Sequence, residues 1–167
     1  MASTVPQEPG TDMSEADTPR LFVGVDVGAT KIMAAVAGQA GDVRARARRA
    51  TPRTDDPQEA VASICAAIDG AVQKAGIAPE DISAIGLAVA AVVDPEDGKV
   101  VATPNMSLAG LDIVTPLEER YGAPVALGND VNLGTLGEKW LGAGRHLDSV
   151  VGVFVGTGIG GGVVIEG

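Results

Sequence analysis

Three short segments of this chain combine residue types that could hold phosphate or accept a hydroxyl proton. The first runs from Asp26 to Lys31, with the sequence DVGATK. Gly28 permits a tight turn and close backbone approach to a ligand, Thr30 offers a hydroxyl and an N–H, and Asp26 is able to hold a divalent cation directly or through water. A glycine turn after a strand is equally compatible with no ligand at all. The second, GTGIGGG at Gly156 to Gly162, has five glycines in seven positions directly after the apolar run VVGVFV. Such a segment minimises side-chain obstruction and lets successive N–H groups face phosphate oxygens, although a tight hairpin without a ligand has the same signature. It lacks the Lys and Ser/Thr pair of a Walker A loop, and Val163 to Gly167 does not read as the helix that a dinucleotide fingerprint requires. The third is Gly128-Asn129-Asp130-Val131-Asn132 after the apolar PVAL. A carboxylate at a strand end beside an amide is suited to taking a proton from a hydroxyl, while the plain alternative for Asp130 is a helix N-cap.

Each segment lies just beyond a predicted strand, where open α/β sheets place their ligands. LFVGVDVGATKIMAAVA reads as a hairpin built around a turn. In Val43 to Ala50, alanine and valine alternate with Arg44, Arg46 and Arg48, which predicts a third strand with a solvated arginine face. That face is either an anion-binding strip or an edge protected by charge against further pairing. Helical spacing follows: Val61, Ile64, Ile68, Val72 and Ala75 form one stripe, Asp56 is the N-cap, Pro57 is N1 and Gly76 lies past the end. Cys65 beside that stripe is read as a small buried hydrophobe. Ile82 to Val93 predicts a buried central strand ending at the turn DPEDG, with Lys99 to Ala102 resuming afterwards. A short helix is announced by Thr115 as N-cap, Pro116 at N1 and Glu118 as the capping-box acid, and it stops at Gly122. Pro124 to Leu127 reads as a strand, and VNLGTLGEKWLGAG has helical length despite Gly134 and Gly137, which close packing against another backbone would explain. Ser149 to Ile165 reads as strand, loop, strand. The order implies an α/β domain with a mixed sheet covered by helices on both faces.

At 167 residues and 16.7 kDa there is room for one ordinary domain. The net charge of −10 argues against nucleic acid and anionic membrane as partners, because their recognition relies on cationic contacts. With 46% hydrophobic residues and a mean hydropathy of +0.23 the chain is too apolar for disorder, yet only 2% of it is aromatic, so the core must be Ala, Val, Ile and Leu. One Cys and one His (His146) build neither a disulfide nor a tetrahedral Cys/His zinc site, which fits a reducing cytoplasm. The first twenty residues lack the basic start and apolar stretch of a signal peptide and are expected to form a disordered tail. Six glycines interrupt the uncharged run from Ser149 to Ile165, which falls short of a spanning helix.

Together and in this order, DVGATK, GNDVN and GTGIGGG resemble the ROK family of sugar kinases and sugar-responsive repressors, from about Leu21 to the last residue. GLAVAAVVDPEDGKVVATPNM and LGEKWLGAGR are similar to further family segments. The resemblance implies the actin-like ATPase (ribonuclease H-like) fold, with 21–128 as the N-terminal lobe and 129–167 as the beginning of a C-terminal lobe. It implies Asp26, Gly28, Thr30 and Lys31 as the first phosphate segment, with Asp26 near Mg²⁺, and Gly156, Thr157, Gly158, Gly160 and Gly161 as the second. Asp130 matches the catalytic base, and Asn105 and Asn129 match ligands of sugar hydroxyls. ATP and a hexose phosphorylated at its 6-hydroxyl are the implied substrates, with a homodimer as the full-length assembly. Phosphoryl transfer needs a positioned hydroxyl, an acceptor for its proton, a metal and N–H donors for developing charge, and these segments supply those parts apart from the metal.

The chain departs from the family pattern at Ala90 and Ala91, where a Pro-Gly pair is usual, and at Ala29, where a second glycine is usual. The family's further sugar ligands, zinc site and adenosine pocket belong to a second lobe beyond Gly167, so this segment alone is expected to turn over little substrate, and structural zinc is expected only in that lobe. His146 is read as a surface loop residue. Two other readings remain open: a sugar-sensing regulator of the same family, for which the residues before Leu21 leave no room for a helix-turn-helix, and a non-catalytic actin-like module that binds a partner.

Overall fold

The computed structural model describes residues 20–54, 56–103, 108–156 and 158–167. Its main sheet has five strands in the order β3-β2-β1-β4-β7. Strands β1 (Leu21–Val27), β2 (Lys31–Gly38) and β3 (Val43–Ala50) run as an antiparallel meander, and β4 (Ile82–Val89) and β7 (Val125–Asn129) add parallel to β1. In register, Val27 lies opposite Val89, and Val89 opposite Asn129, so the three parallel strands end at one edge of the sheet. This mixed sheet is the one the element order implied.

Side chains alternate across each strand, which gives the sheet two different faces. Val23, Val25, Val27, Ile32, Ala34, Val36, Ile85, Leu87 and Val89 are buried on one of them. Helix α1 (Pro57–Ala75) covers that face through Ile64, Ala67, Ile68, Ala71 and Val72, and Cys65 is buried with them as expected. Its ends form as the sequence predicts: Asp56 Oδ1 accepts from Gln58 N–H at 2.9 Å, Pro57 opens the helix, and Gly76 closes it with a left-handed φ of 68°. A polar contact at the surface ties α1 to helix α2 (Thr115–Tyr121). The Tyr121 hydroxyl donates to Asp69 Oδ1 at 2.8 Å, and Arg120 Nη2 pairs with Asp69 Oδ2 at 2.8 Å. Burial pushes the Tyr121 phenol above its ordinary range, which keeps it neutral and a donor.

The opposite face is floored by small residues, including Gly24, Ala35, Gly86 and Ala88. Helix α3 (Asp130–Trp140) lies across it and leaves a groove of about 670 Å³ that has Met33, Leu136 and Trp140 among its lining residues. Helices therefore occupy both faces, but α3 covers its side only in part. Leu133 sits against Gly128, where a Cβ would lie 2.7 Å from Leu133 Cγ.

Three local expectations change. The apolar run Ile82 to Val93 is not one strand: β4 stops at Val89, Ala91 N–H donates to the Val89 carbonyl at 2.8 Å, and the chain turns into a separate hairpin of β5 (Val92–Asp94) and β6 (Lys99–Ala102). Apolar composition alone does not register such a bend. Thr115 is the first residue of α2 rather than its N-cap, because Asp112 Oδ1 already accepts from Val114 N–H at 3.1 Å and Thr115 N–H at 3.0 Å. Hydrogen bonds from Thr115 hold the Asp112 carboxyl below its ordinary range. Glu118 turns instead to Val125 N–H at 3.0 Å and ties α2 to β7. The glycines of α3 also divide: Gly134 faces the Phe154 ring, where a Cβ would lie 2.9 Å from Cζ, whereas nothing lies within 4 Å of a Cβ at Gly137. Close packing explains the first of them, against a ring rather than a backbone.

Candidate active site

The site begins where β1 ends. Asp26 is half-buried, with Met33 opposite it on β2 and, on its other side, the small residues Ala88 on β4 and Gly128 on β7. Burial raises its carboxyl pKa, Lys31 opposes the shift, and the Asp130 carboxylate adds to it. These three charged groups thus share one electrostatic neighbourhood, and Asp26 and Asp130 line the same groove. Between β1 and β2 the chain turns at Ala29 and Thr30, both exposed, and Gly28 N–H donates to the Lys31 carbonyl at 2.9 Å. A Cβ on Gly28 would lie 3.3 Å from that carbonyl oxygen, so glycine relieves a tight approach there.

Asn129 and Asp130 are placed by the junction of β7 and α3. Asn129, at φ −65° and ψ 140°, is the N-cap: its Oδ1 accepts from Val131 N–H at 3.0 Å and Asn132 N–H at 3.1 Å. Asp130 is therefore the first helical residue rather than the cap. The Asn129 Nδ2 donates to the Ala91 carbonyl at 3.1 Å and to Asp130 Oδ1 at 3.1 Å, and Val131 N–H reaches the same Oδ1 at 2.9 Å. Two donors at the start of α3 hold this carboxylate in place. Among the described residues Asp130 Oδ2 has no hydrogen-bond partner, which leaves it as a proton acceptor. Ala91, which sequence reasoning treated only as a departure from a pattern, is thus the backbone anchor of the Asn129 amide.

The glycine run is a hairpin. β8 (Val150–Val155) pairs with β9 (Ile159–Val164), so Gly156 and Gly158 lie between the strands, and the last three glycines lie within β9. Those strand glycines have a packing reason. A Cβ on Gly160 would lie 2.6 Å from Val131 Cγ2, and Cβ atoms on Gly152 and Gly162 would overlap the Thr135 hydroxyl. Thr135 is fully buried and donates to the Val131 carbonyl at 2.8 Å. Moving along β9 from Gly162 at Thr135 to Gly160 at Val131 follows α3 toward its N-terminus, so the hairpin tip lies toward the Asp130 end. Around Gly156 and Gly158 there is open space, and Gly161 meets nothing nearer than the Gly152 carbonyl at 3.7 Å. Asn105 and Thr157 lie outside the described residues. His146 is exposed and accepts from Arg145 Nε at 2.9 Å, away from this arrangement.

Among the described residues no three His, Cys, Asp or Glu side chains gather as a metal cluster, and no helix is long and apolar enough to cross a membrane.

The model of the ROK family matches residues 22–167. A glucokinase of Streptomyces coelicolor (strain ATCC BAA-471 / A3(2) / M145) is 34% identical over 145 residues, which are 87% of this chain and 44% of that protein. A putative xylose repressor of Caldicellulosiruptor sp. (strain Rt8B.4) is 29% identical over 87% of this chain and 36% of its own length. Among solved structures, a ROK family glucokinase from Streptomyces griseus, in complex with glucose and AMPPNP, superposes with a TM-score of 0.78 at 36% identity, covering 87% of this chain and 45% of that one. A ROK hexokinase from Thermus thermophilus gives 0.77 at 33% identity, covering 87% and 47%. The chain thus spans less than half the length of these relatives and has the actin-like ATPase fold of ROK glucokinases. On the family match across nearly its whole length, with a fold to agree, the chain belongs to the ROK family.

Proposed function

We propose that this chain supplies the hydroxyl-activating and phosphate-facing part of an ATP-dependent hexose kinase of the glucokinase type. The observation that carries this reading is the held carboxylate of Asp130, with one oxygen tied by two donors and the other open toward the groove it shares with Asp26. In the proposed reaction the sugar 6-hydroxyl oxygen attacks the γ-phosphorus of ATP, its proton passes to Asp130 Oδ2, and the bond from the γ-phosphorus to the bridging oxygen breaks to release ADP. Asn105 contacts a sugar hydroxyl in this reading, while Asn129, whose amide is committed to Ala91, Asp130 and the first N–H groups of α3, acts by positioning Asp130. Gly28, Thr30 and Lys31 face the phosphates from one side, and Gly156, Thr157, Gly158, Gly160 and Gly161 from the other. A hard cation fits the oxygen donors at hand: Asp26 would hold Mg²⁺ with waters and phosphate oxygens completing its shell, since among the described residues no larger set of protein ligands gathers there. When bound, that ion neutralises phosphate charge.

Residues 21–128 form the first lobe in this account, and 129–167 open the second. The competing reading is sugar sensing, favoured by the similarity to a xylose repressor. Incubating the full-length polypeptide with a hexose panel, ATP and Mg²⁺ separates the two. The kinase reading expects a hexose 6-phosphate and ADP in equal amounts. Sugar binding without ATP consumption would replace it with the sensor.

A further inference from the structure

The turn that faces the proposed phosphate site is not built like an ordinary two-residue hairpin. Such turns are favoured in the primed types, which need positive φ at one or both central residues. From Gly28 to Lys31 no residue has positive φ. Gly28 N–H is satisfied by the Lys31 carbonyl, but the carbonyls of Gly28 and Thr30 point away from that bond and need donors from elsewhere.

Both donors come from one residue. Thr51, the first residue after β3, gives its hydroxyl to the Gly28 carbonyl at 2.6 Å and its N–H to the Thr30 carbonyl at 3.2 Å. The β2–β3 register brings it there by pairing Lys31 with Ala50. With the two carbonyls drawn toward Thr51, the N–H groups of Ala29 and Thr30 have no hydrogen-bond partner among the described residues, on two exposed positions. Free N–H groups held on a turn whose carbonyls are tied elsewhere make a concavity for an anion.

We infer that Thr51 is a positioning residue for phosphoryl transfer: it clasps the Gly28–Lys31 turn from below so that the Ala29 and Thr30 N–H groups face the ATP phosphates. The inference rests on the phosphate-binding reading of that turn given above. Thr51 gives both its hydroxyl and its N–H to the turn, so its effect is transmitted through Gly28 and Thr30.

The test compares Thr51→Val, which keeps the shape and the N–H but removes the hydroxyl, with Thr51→Ser, which restores the hydroxyl. In the full-length polypeptide Thr51→Val is expected to raise KM for ATP about tenfold, the size of one well-formed hydrogen bond, with KM for the sugar unchanged and Thr51→Ser within about twofold of the parent. Amide hydrogen exchange without nucleotide supplies a readout independent of activity. Thr51→Val should speed exchange of the Gly28 amide about tenfold and leave Leu87 on β4 unchanged. Equal rises in both KM values, failure of serine to rescue, or an unchanged Gly28 exchange rate would each overturn the inference. A parent protein that binds no ATP while the Gly28 exchange still responds would sink the kinase reading, and the role in phosphoryl transfer with it, leaving Thr51 a clasp of the turn alone.

Discussion

At the scale of single residues, the proposed site sets stability against chemistry most plainly at Asp26. Burial raises its carboxyl pKa in the folded chain, so without a cation the native state holds this proton to higher pH than the unfolded chain does. In that window the native state binds more protons, and its stability falls as pH rises above about 4, the ordinary carboxylate range. Asp26→Asn is therefore expected to raise the unfolding midpoint of the metal-free chain at pH 7 and to flatten its decline with pH, while abolishing phosphoryl transfer in the full-length protein. Urea titrations at several pH values read the first part. A midpoint lowered at pH 7 would show that the charge is stabilising. Asp26, Gly28, Asn129 and Asp130 were legible in the sequence because the site chemistry depends on residue type and short spacing. Thr51 and Ala91 were not, because each acts across strand register: Thr51 lies 23 residues from the carbonyl it holds, and Ala91 lies 38 from Asn129. Ala91 also acts through its backbone, which side-chain chemistry does not mark.

Secondary-structure elements divide the glycine run into two tasks. Gly152, Gly160 and Gly162 let the β8–β9 hairpin lie directly on α3 around Val131 and the buried Thr135, whereas Gly156 and Gly158 sit in open space at the tip. Gly162→Ala should cost about 1–3 kcal/mol by overpacking against Thr135, read from chemical denaturation. Gly158→Ala should stay within about 0.5 kcal/mol of the parent and raise KM for ATP in the full-length protein. A large stability loss from Gly158→Ala would place the tip among the packing glycines. In sequence these glycines are indistinguishable, since what separates them is the neighbour across the hairpin. Helix α1 was legible to its caps because Asp56, Pro57 and Gly76 act locally. The end of β4 and the cap of α2 were not: the first depends on a bend within an unbroken apolar run, and the second on Asp112, outside the predicted helix start.

For the molecule as a whole, the mixed sheet gathers three strand ends at one edge, and α3 carries Asp130 from the last of them over the small-residue face. The same helix seats the glycine hairpin, so the second proposed phosphate segment and the proposed base are positioned by one element, and the first by the β1–β2 turn. The hairpin's other face is apolar and open: Val151, Val155 and Ile159 are 70%, 77% and 81% exposed. Exposed apolar surface of this kind is characteristic of a contact face. The central claim, that Asp130 takes the hydroxyl proton, is tested most directly by Asp130→Ala in the full-length polypeptide, with hexose binding measured by calorimetry beside the rate of ADP formation. The account predicts turnover reduced by about 10²–10⁴ with hexose affinity retained. Unchanged turnover, or hexose binding lost together with turnover, would contradict it.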